Sequence, residues 1–267
     1  MLTNSLLMRY HVHVRINNTN KNNTNKNNTN NNNKNIKTTD VFGHGFKSTK
    51  NQDKYIESLN SKRIIIAQGP PGSGKTMLAC SHAIQELNNM TYKKVLITRP
   101  AVSVDEEHGF LPGDLNQKLH PWMIPIYDNF TMFAAKSTLD HMLNSGKIEI
   151  VPLSFIRGRT FHDCFIIADE MQNATQNQIK TLLTRIGLNS TMVITGDLSQ
   201  CDLKTEEENG LLDFITRFQN YKITNSITDD EFIDVVELDK SDIQRSESVA
   251  RILDIYDMDE KQNNLKI

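Results

Sequence analysis

Arg63-Ile64-Ile65-Ile66-Ala67-Gln68-Gly69-Pro70-Pro71-Gly72-Ser73-Gly74-Lys75-Thr76 is the stretch on which the reading of this chain turns. The segment 63–67 is short, β-branched and apolar, the pattern of a strand buried on both faces. Gly69, four residues, then Gly74-Lys75-Thr76 completes the spacing of a phosphate-binding loop. Glycine is needed there because backbone N–H groups must close around phosphate oxygens with no Cβ in the way. The segment from Lys75 to Leu87 reads as a helix, whose positive end would face the same anion. Gly69, Pro70, Pro71, Gly72, Ser73 and Gly74 are therefore expected to cradle a nucleotide's phosphates. Lys75 is expected to reach the β- and γ-phosphates and Thr76 to ligate Mg2+. The bland alternative, a Gly/Pro turn that happens to precede Lys-Thr, makes the correctly placed strand and helix a coincidence.

Outward from this loop, strand and helix signals alternate. Strands are expected at 94–98, 148–151, 164–168, 191–195 and 232–238. Helices are expected at 177–186, 209–218 and 241–256, with a helical region over 114–135 broken by Pro121 and Pro125. Short apolar strands separated by helices predict an α/β fold, a doubly wound, mainly parallel sheet with helices on both faces. Ligands of such sheets sit beyond the carboxyl ends of the strands.

Two more strand ends carry chemistry. Phe165-Ile166-Ile167-Ala168 runs into Asp169-Glu170. Asp169 suits the magnesium site, and Glu170 suits orienting or deprotonating an attacking water. Val193-Ile194-Thr195 runs into Gly196-Asp197-Leu198-Ser199-Gln200, where Gln200 or Asp197 is placed to sense the γ-phosphate. A tight Gly-Asp turn is the plainer reading of that block. Arg157, Arg159 and Arg245 are candidates for stabilising a transferring phosphate, in cis or from a neighbouring subunit, or are surface cations; spacing alone leaves both open.

Composition bounds the rest. The chain has 267 residues, 30 basic and 32 acidic, so any nucleic-acid contact must come from placement and not from bulk charge. Hydrophobic residues reach only 37% because 17–36 is almost wholly Asn, Thr and Lys, a tract with nothing to bury that reads as disordered. The expected organisation is a disordered segment at 1–40, one nucleotide-binding domain at 41–258 and a flexible tail at 259–267. Cys80, Cys164 and Cys201 lack metal-ligand spacing, and two of them sit inside expected apolar elements, which favours small buried residues in a reducing, cytoplasmic setting. No apolar run is long enough to span a bilayer, and the first 16 residues lack a secretory pattern, so no membrane association is expected.

Taken together, the motifs resemble the PhoH family of phosphate-starvation-inducible P-loop ATPases. Seven collinear blocks carry the likeness: 69–76, 98–102, 109–113, 151–160, 167–173, 196–202 and 242–246. The resemblance implies a fold like one RecA-type domain of superfamily 1 helicases, ATP binding and hydrolysis, a link to single-stranded RNA, and a ring-like homo-oligomer. It implies that Gln52 reads the adenine, that Arg245 is the family's late, phosphate-facing arginine, and that Gln172 and Asn173 couple hydrolysis to a bound strand. Ala168 and Met171 depart from the family's usual Leu and Ala, and 160–163 is only loosely similar. Some relatives carry a nuclease domain ahead of this one; the Asn-rich 1–40 leaves no room for it, and no nuclease is expected.

The leading expectation is thus an ATPase coupled to RNA, helicase-like or remodelling ribonucleoprotein. Against it stands a nucleotide-dependent switch or scaffold with little turnover, which the full set Lys75, Thr76, Asp169 and Glu170 disfavours. A small-molecule kinase is disfavoured by the Asp169-Glu170 pair.

Overall fold

The computed structural model describes residues 47–100, 124–203, 209–243 and 251, and all the elements below belong to the compact unit Ser48–Ile267. In chain order they are α1 (Lys50–Ser61), β1 (Ile64–Gln68), α2 (Lys75–Asn88), β2 (Lys94–Thr98), α3 (Lys136–Asn144), β3 (Ile148–Ile150), β4 (Cys164–Ala168), α4 (Gln176–Leu183), β5 (Thr191–Gly196), α5 (Gly210–Thr224) and β6 (Ile233–Glu237). The six strands form one sheet in the order β3-β2-β4-β5-β1-β6, and every pairing is parallel. This is the expected α/β sheet of a single RecA-like domain.

The isoleucines that marked β1 explain its position. Ile65, Ile66 and Ala67 are fully buried between β5 and β6; Val95, Leu96 and Ile97 of β2 and Phe165 and Ile166 of β4 are fully buried as well. Residues alternate between the two faces of a strand. Ile66, Leu96, Ile166 and Ile194 join Ile179 and Leu182 of α4 and Leu211 and Ile215 of α5 in one core cluster. On the other face α2 packs across β2, β4 and β5, with the His82 and Phe165 rings 5.2 Å apart. Burial of an aliphatic side chain is worth about 1.5–3 kcal/mol, so these two layers are what hold the strand ends in place.

Several elements differ from the sequence expectation. Helix α1 was not anticipated: it buries only Tyr55 and Leu59 among its apolar residues, too thin a stripe to stand out. Its start is nonetheless written in the sequence as a capping box. Thr49 accepts from the Gln52 N–H, and the Gln52 side chain accepts from the Thr49 N–H. Helix α3 lies just past the region read as helical. Within that region, residues 124–131 are helical and include Pro125. The other proline, Pro121, lies outside the described residues. Helix α5 runs to Thr224, six residues beyond the expected end, because nothing between Phe218 and Asn225 breaks it. Of the closing helix expected at 241–256, Ser241 and Asp242 belong to a tight turn, Lys240–Asp242, capped by Asp239, Arg251 is helical, and 244–250 and 252–256 lie outside the described residues. Beyond Ile243 only Arg251 is described. No helix among the described residues is long and apolar enough to cross a membrane.

Candidate functional site

The carboxyl ends of β1, β2, β4 and β5 converge on one place. Past β1, Gly69 adopts φ +151°, and a Cβ there would lie 2.3 Å from the Leu238 carbonyl oxygen. Only glycine fits so close to the strand end of β6, which is fastened by the Leu238 N–H donating to the Gln68 carbonyl at 2.8 Å. Gly74, at φ +91°, sits at the N-cap of α2 and supplies no capping side chain, so the helix presents its first amides without competition. Ser73 is fully buried and donates from Oγ to the Pro70 carbonyl at 2.8 Å, which sets the loop's curvature. Pro71 and Gly72 form its exposed crest.

Lys75 lies across the loop, its Nζ donating to the carbonyls of Gly69 at 2.5 Å and Pro70 at 2.9 Å. Burial pulls its pKa below the ordinary lysine value, and the carboxylates of Asp197, Glu170 and Asp169 oppose that fall. A lysine held by backbone carbonyls and surrounded by acids is a cation awaiting a better anion.

Asp169, 1% exposed, is the centre of the arrangement. Its Oδ1 accepts from Thr76 Oγ1 at 2.7 Å and from Thr195 Oγ1 at 2.5 Å. Its Oδ2 accepts from Arg99, whose Nε stands at 2.8 Å and whose second guanidinium nitrogen also bonds to it. The Arg99 side chain is itself only 12% exposed, making this a buried ion pair. Two more buried oxygens here have no partner among the described residues: Thr98 Oγ1, at the end of β2, and Asp197 Oδ2. Thr76 Oγ1 and Asp169 Oδ1, 2.7 Å apart, form a hard-oxygen pair, which suits Mg2+. Among the described residues no three His, Cys, Asp or Glu side chains gather to cage a metal. That fits an ion bound by one carboxylate, one hydroxyl and the phosphates it accompanies.

Glu170 follows in the left-handed region, φ +57°, which turns its exposed side chain away from β4 and over the site. Gln172 ties it in: its Nε2 donates to Glu170 Oε2 at 2.7 Å and its Oε1 accepts from the Asp197 N–H at 3.2 Å. The ends of β4 and β5 are thereby linked through one amide. Asn173 and Asp202 exchange a pair of bonds at 2.9 and 2.8 Å. Gln200 closes the turn Leu198–Gln200, which Asp197 caps, and is exposed. With Arg99, Glu170, Gln172, Asn173 and Asp202 it lines a cleft of about 500 Å3 beside the loop.

Gln52 is buried and its amide is in use. Its Nε2 donates to the carbonyls of Ser73 at 3.0 Å and Asp242 at 3.2 Å, and its Oε1 accepts from the Thr49 N–H at 3.1 Å. The side chain therefore pins α1 to the phosphate loop and to the turn after β6. To read an adenine it must exchange these partners. Of the remaining expected residues, Arg245 lies outside the described residues. Arg159 is committed elsewhere, pairing with Glu149 at 2.8 Å and resting over the Phe161 ring.

Arg99, Thr98 and Thr195 were not singled out from the sequence as site residues, although each stands at or just past a strand's carboxyl end. Applying to β2 and to Thr195 the strand-end rule that found Asp169 would have found them. A larger hollow, about 1090 Å3, runs along α1 and the edge strand β6, but Glu57, Asp229, Asp234 and Glu237 among its lining make it unsuited to phosphate.

A parallel RecA-like sheet with this loop and these two acids at its strand ends defines a P-loop nucleotide-binding protein. Within that class the chain belongs to the PhoH family, whose model, described as PhoH-like protein, matches residues 46–257. A PhoH-like protein of Bacillus subtilis is 39% identical over 215 residues, covering 80% of this chain and 64% of the relative. The Escherichia coli K12 protein PhoH is 37% identical over 204 residues, covering 76% and 55%. The chain thus spans about three fifths of the length of these curated relatives. Among solved structures, the large terminase of a thermophilic bacteriophage aligns with a TM-score of 0.48 at 10% identity, covering 76% of this chain and 49% of that one. Bacteroides Pif1 bound to ssDNA aligns with a TM-score of 0.30 at 12% identity, covering 73% and 42%.

Proposed function

We propose that this chain hydrolyses ATP with Mg2+ and couples that reaction to single-stranded RNA, as a homo-oligomer. The observation that carries the catalytic part is the 2.7 Å contact between Thr76 Oγ1 and Asp169 Oδ1, with Lys75 and Glu170 beside it. Bound Mg2+ supplies charge neutralisation for the β- and γ-phosphates. In this reading the amides of 69–74 and the amino end of α2 hold the phosphates, and Lys75 exchanges its carbonyl partners for phosphate oxygens. Thr76 and Asp169 hold the metal. Glu170, aimed by Gln172, orients the attacking water. Gln200 reports on the γ-phosphate, Arg245 completes the site, and Gln52 meets the adenine edge.

The RNA and oligomer parts rest on family membership. A superfamily 1 helicase moves a strand between two such domains; the described residues form one, and in this reading a second copy of the chain supplies the other. Phosphate release measured across a titration of single-stranded RNA tests the coupling. Turnover that rises with RNA supports it; turnover indifferent to RNA and DNA, by a chain that sediments as a monomer, refutes it. One observation favours the slower alternative, a nucleotide-dependent switch: Asp169 has Thr76, Thr195 and Arg99 as partners, a set that satisfies both of its oxygens within the chain.

A further inference from the structure

The connection from β3 to β4 and the outer face of α4 line a hollow of about 600 Å3 that shares no lining residue with the cleft at Glu170 and Gln200. Arg157, Asn177, Lys180, Thr181, Thr184 and Arg185 line it, and none of the lining residues is acidic. In a chain with 32 acidic and 30 basic residues, three cations without a carboxylate among them are a matter of placement. We propose that this hollow binds the phosphodiester backbone of single-stranded nucleic acid, a reading that rests on the nucleic-acid coupling proposed above and gives it a surface.

The side chains are arranged for that ligand. Asn177, Lys180, Thr181 and Thr184 fall at i, i+3, i+4 and i+7, one stripe of α4, while Ile179 and Leu182 bury the opposite stripe in the core. Asn177, Lys180 and Thr181 each carry a side-chain donor, whereas Thr184 Oγ1, at the C-cap, donates to the Lys180 and Thr181 carbonyls at 3.0 Å. The Arg157 and Lys180 side chains are exposed and have no acceptor among the described residues. Arg185 is fixed by bonds to the Arg159 carbonyl at 3.4 Å and Thr184 Oγ1 at 3.1 Å, and its Nε is buried without a partner among the described residues. Gly158, at φ +80°, has nothing within 4 Å of where a Cβ would be among the described residues, which leaves the loop tip open to a backbone ligand on their side. Arginine, lysine, hydroxyl and amide donors are the groups that contact phosphate and sugar without reading sequence.

The position also connects this surface to the reaction. Only the turn Met171–Asn173 and the capping box of Thr175 with Gln178 separate Glu170 from α4. The Gly210 N–H donates to the Ala174 carbonyl at 2.8 Å and braces that link. A strand drawn across α4 acts on the same rigid segment that sets Glu170.

The test is fluorescence anisotropy of a labelled oligouridylate with the full chain at several salt concentrations, comparing wild type with the double variant Arg157→Gln, Lys180→Gln. Both positions are exposed, so folding is not at stake. Affinity is expected to fall roughly tenfold or more. Loss of two phosphate contacts is expected to flatten the log–log salt slope by about 1.4. Basal phosphate release is expected to stay at the wild-type rate while its stimulation by RNA is lost. Wild type and variant binding RNA alike, with equal slopes, overturns the groove and leaves RNA coupling standing. No binding of RNA or DNA by wild type overturns both. Inorganic polyphosphate held as tightly as RNA, with no RNA stimulation, assigns the cations to a different polyanion and overturns the groove as well. A basal rate that falls in the variant assigns Arg157 to a neighbouring subunit's nucleotide and overturns the proposal.

Discussion

Replacing Arg99 with methionine removes the cation bonded to Asp169 and leaves a carboxylate that is 1% exposed. Stripping one partner from a buried pair costs about 3–5 kcal/mol, because the remaining charge is left uncompensated. Two features place this case at the low end. Thr76 and Thr195 still donate to Oδ1, and the Arg99 side chain is 12% exposed, so water can follow it out. A loss of about 3 kcal/mol corresponds to a melting temperature roughly 6–12 °C lower for a domain of this size. The assay is thermal unfolding of wild type, Arg99→Met and Arg99→Lys, each with EDTA and with Mg2+ and a non-hydrolysable ATP analogue. Lysine keeps the charge but not the two-nitrogen grip and should fall between the other two. Because Mg2+ supplies positive charge to the same carboxylate, the gap between Arg99→Met and wild type should narrow when metal and nucleotide are bound. A variant that melts within about 2 °C of wild type in EDTA would refute the reasoning, as would a gap that metal and nucleotide leave unchanged.

Other outcomes follow from the same geometry. Glu170→Gln should keep nucleotide affinity and stability, since the side chain is exposed, but lower turnover by about 10²–10⁴-fold, read as steady-state phosphate release. Gly69→Ala forces a Cβ to 2.3 Å from the Leu238 carbonyl at a φ only glycine favours, and urea denaturation should show a loss of about 2 kcal/mol or more. Burial pushes the Cys164 thiol from 9.0 up to about 12, so its contribution to stability is whole below pH 9 and is lost as pH rises from there toward 12. At pH 8 a thiol reagent should therefore modify half-buried Cys201 readily in the native chain and reach Cys80 and Cys164 only after denaturation, a ratio that thiol titration reports.

The strands and the loop were legible because their signals are local. Strands β2 and β4 end where their apolar runs end, and Gly69 to Thr76 needs no long-range contact to be recognised. What was not legible depends on partners distant in sequence. Arg99 matters because Asp169, 70 residues later, lies beside it across the β2–β4 pairing. Gln52 closes a capping box, a local signal, but its contacts to Ser73 and Asp242 join three elements only the fold brings together. The polar stripe of Asn177, Lys180 and Thr181 on α4 has helical spacing visible in the sequence; that Arg157 comes to lie beside it does not follow from spacing.

The central claim is that the Thr76–Asp169–Lys75–Glu170 arrangement hydrolyses ATP. It is tested most directly by phosphate release from ATP by the wild-type chain and by Lys75→Ala, each in Mg2+ and in EDTA. The account predicts turnover by wild type in Mg2+ alone, with the other three samples at background. Equal release by wild type and Lys75→Ala in Mg2+, or no release by either, would contradict it.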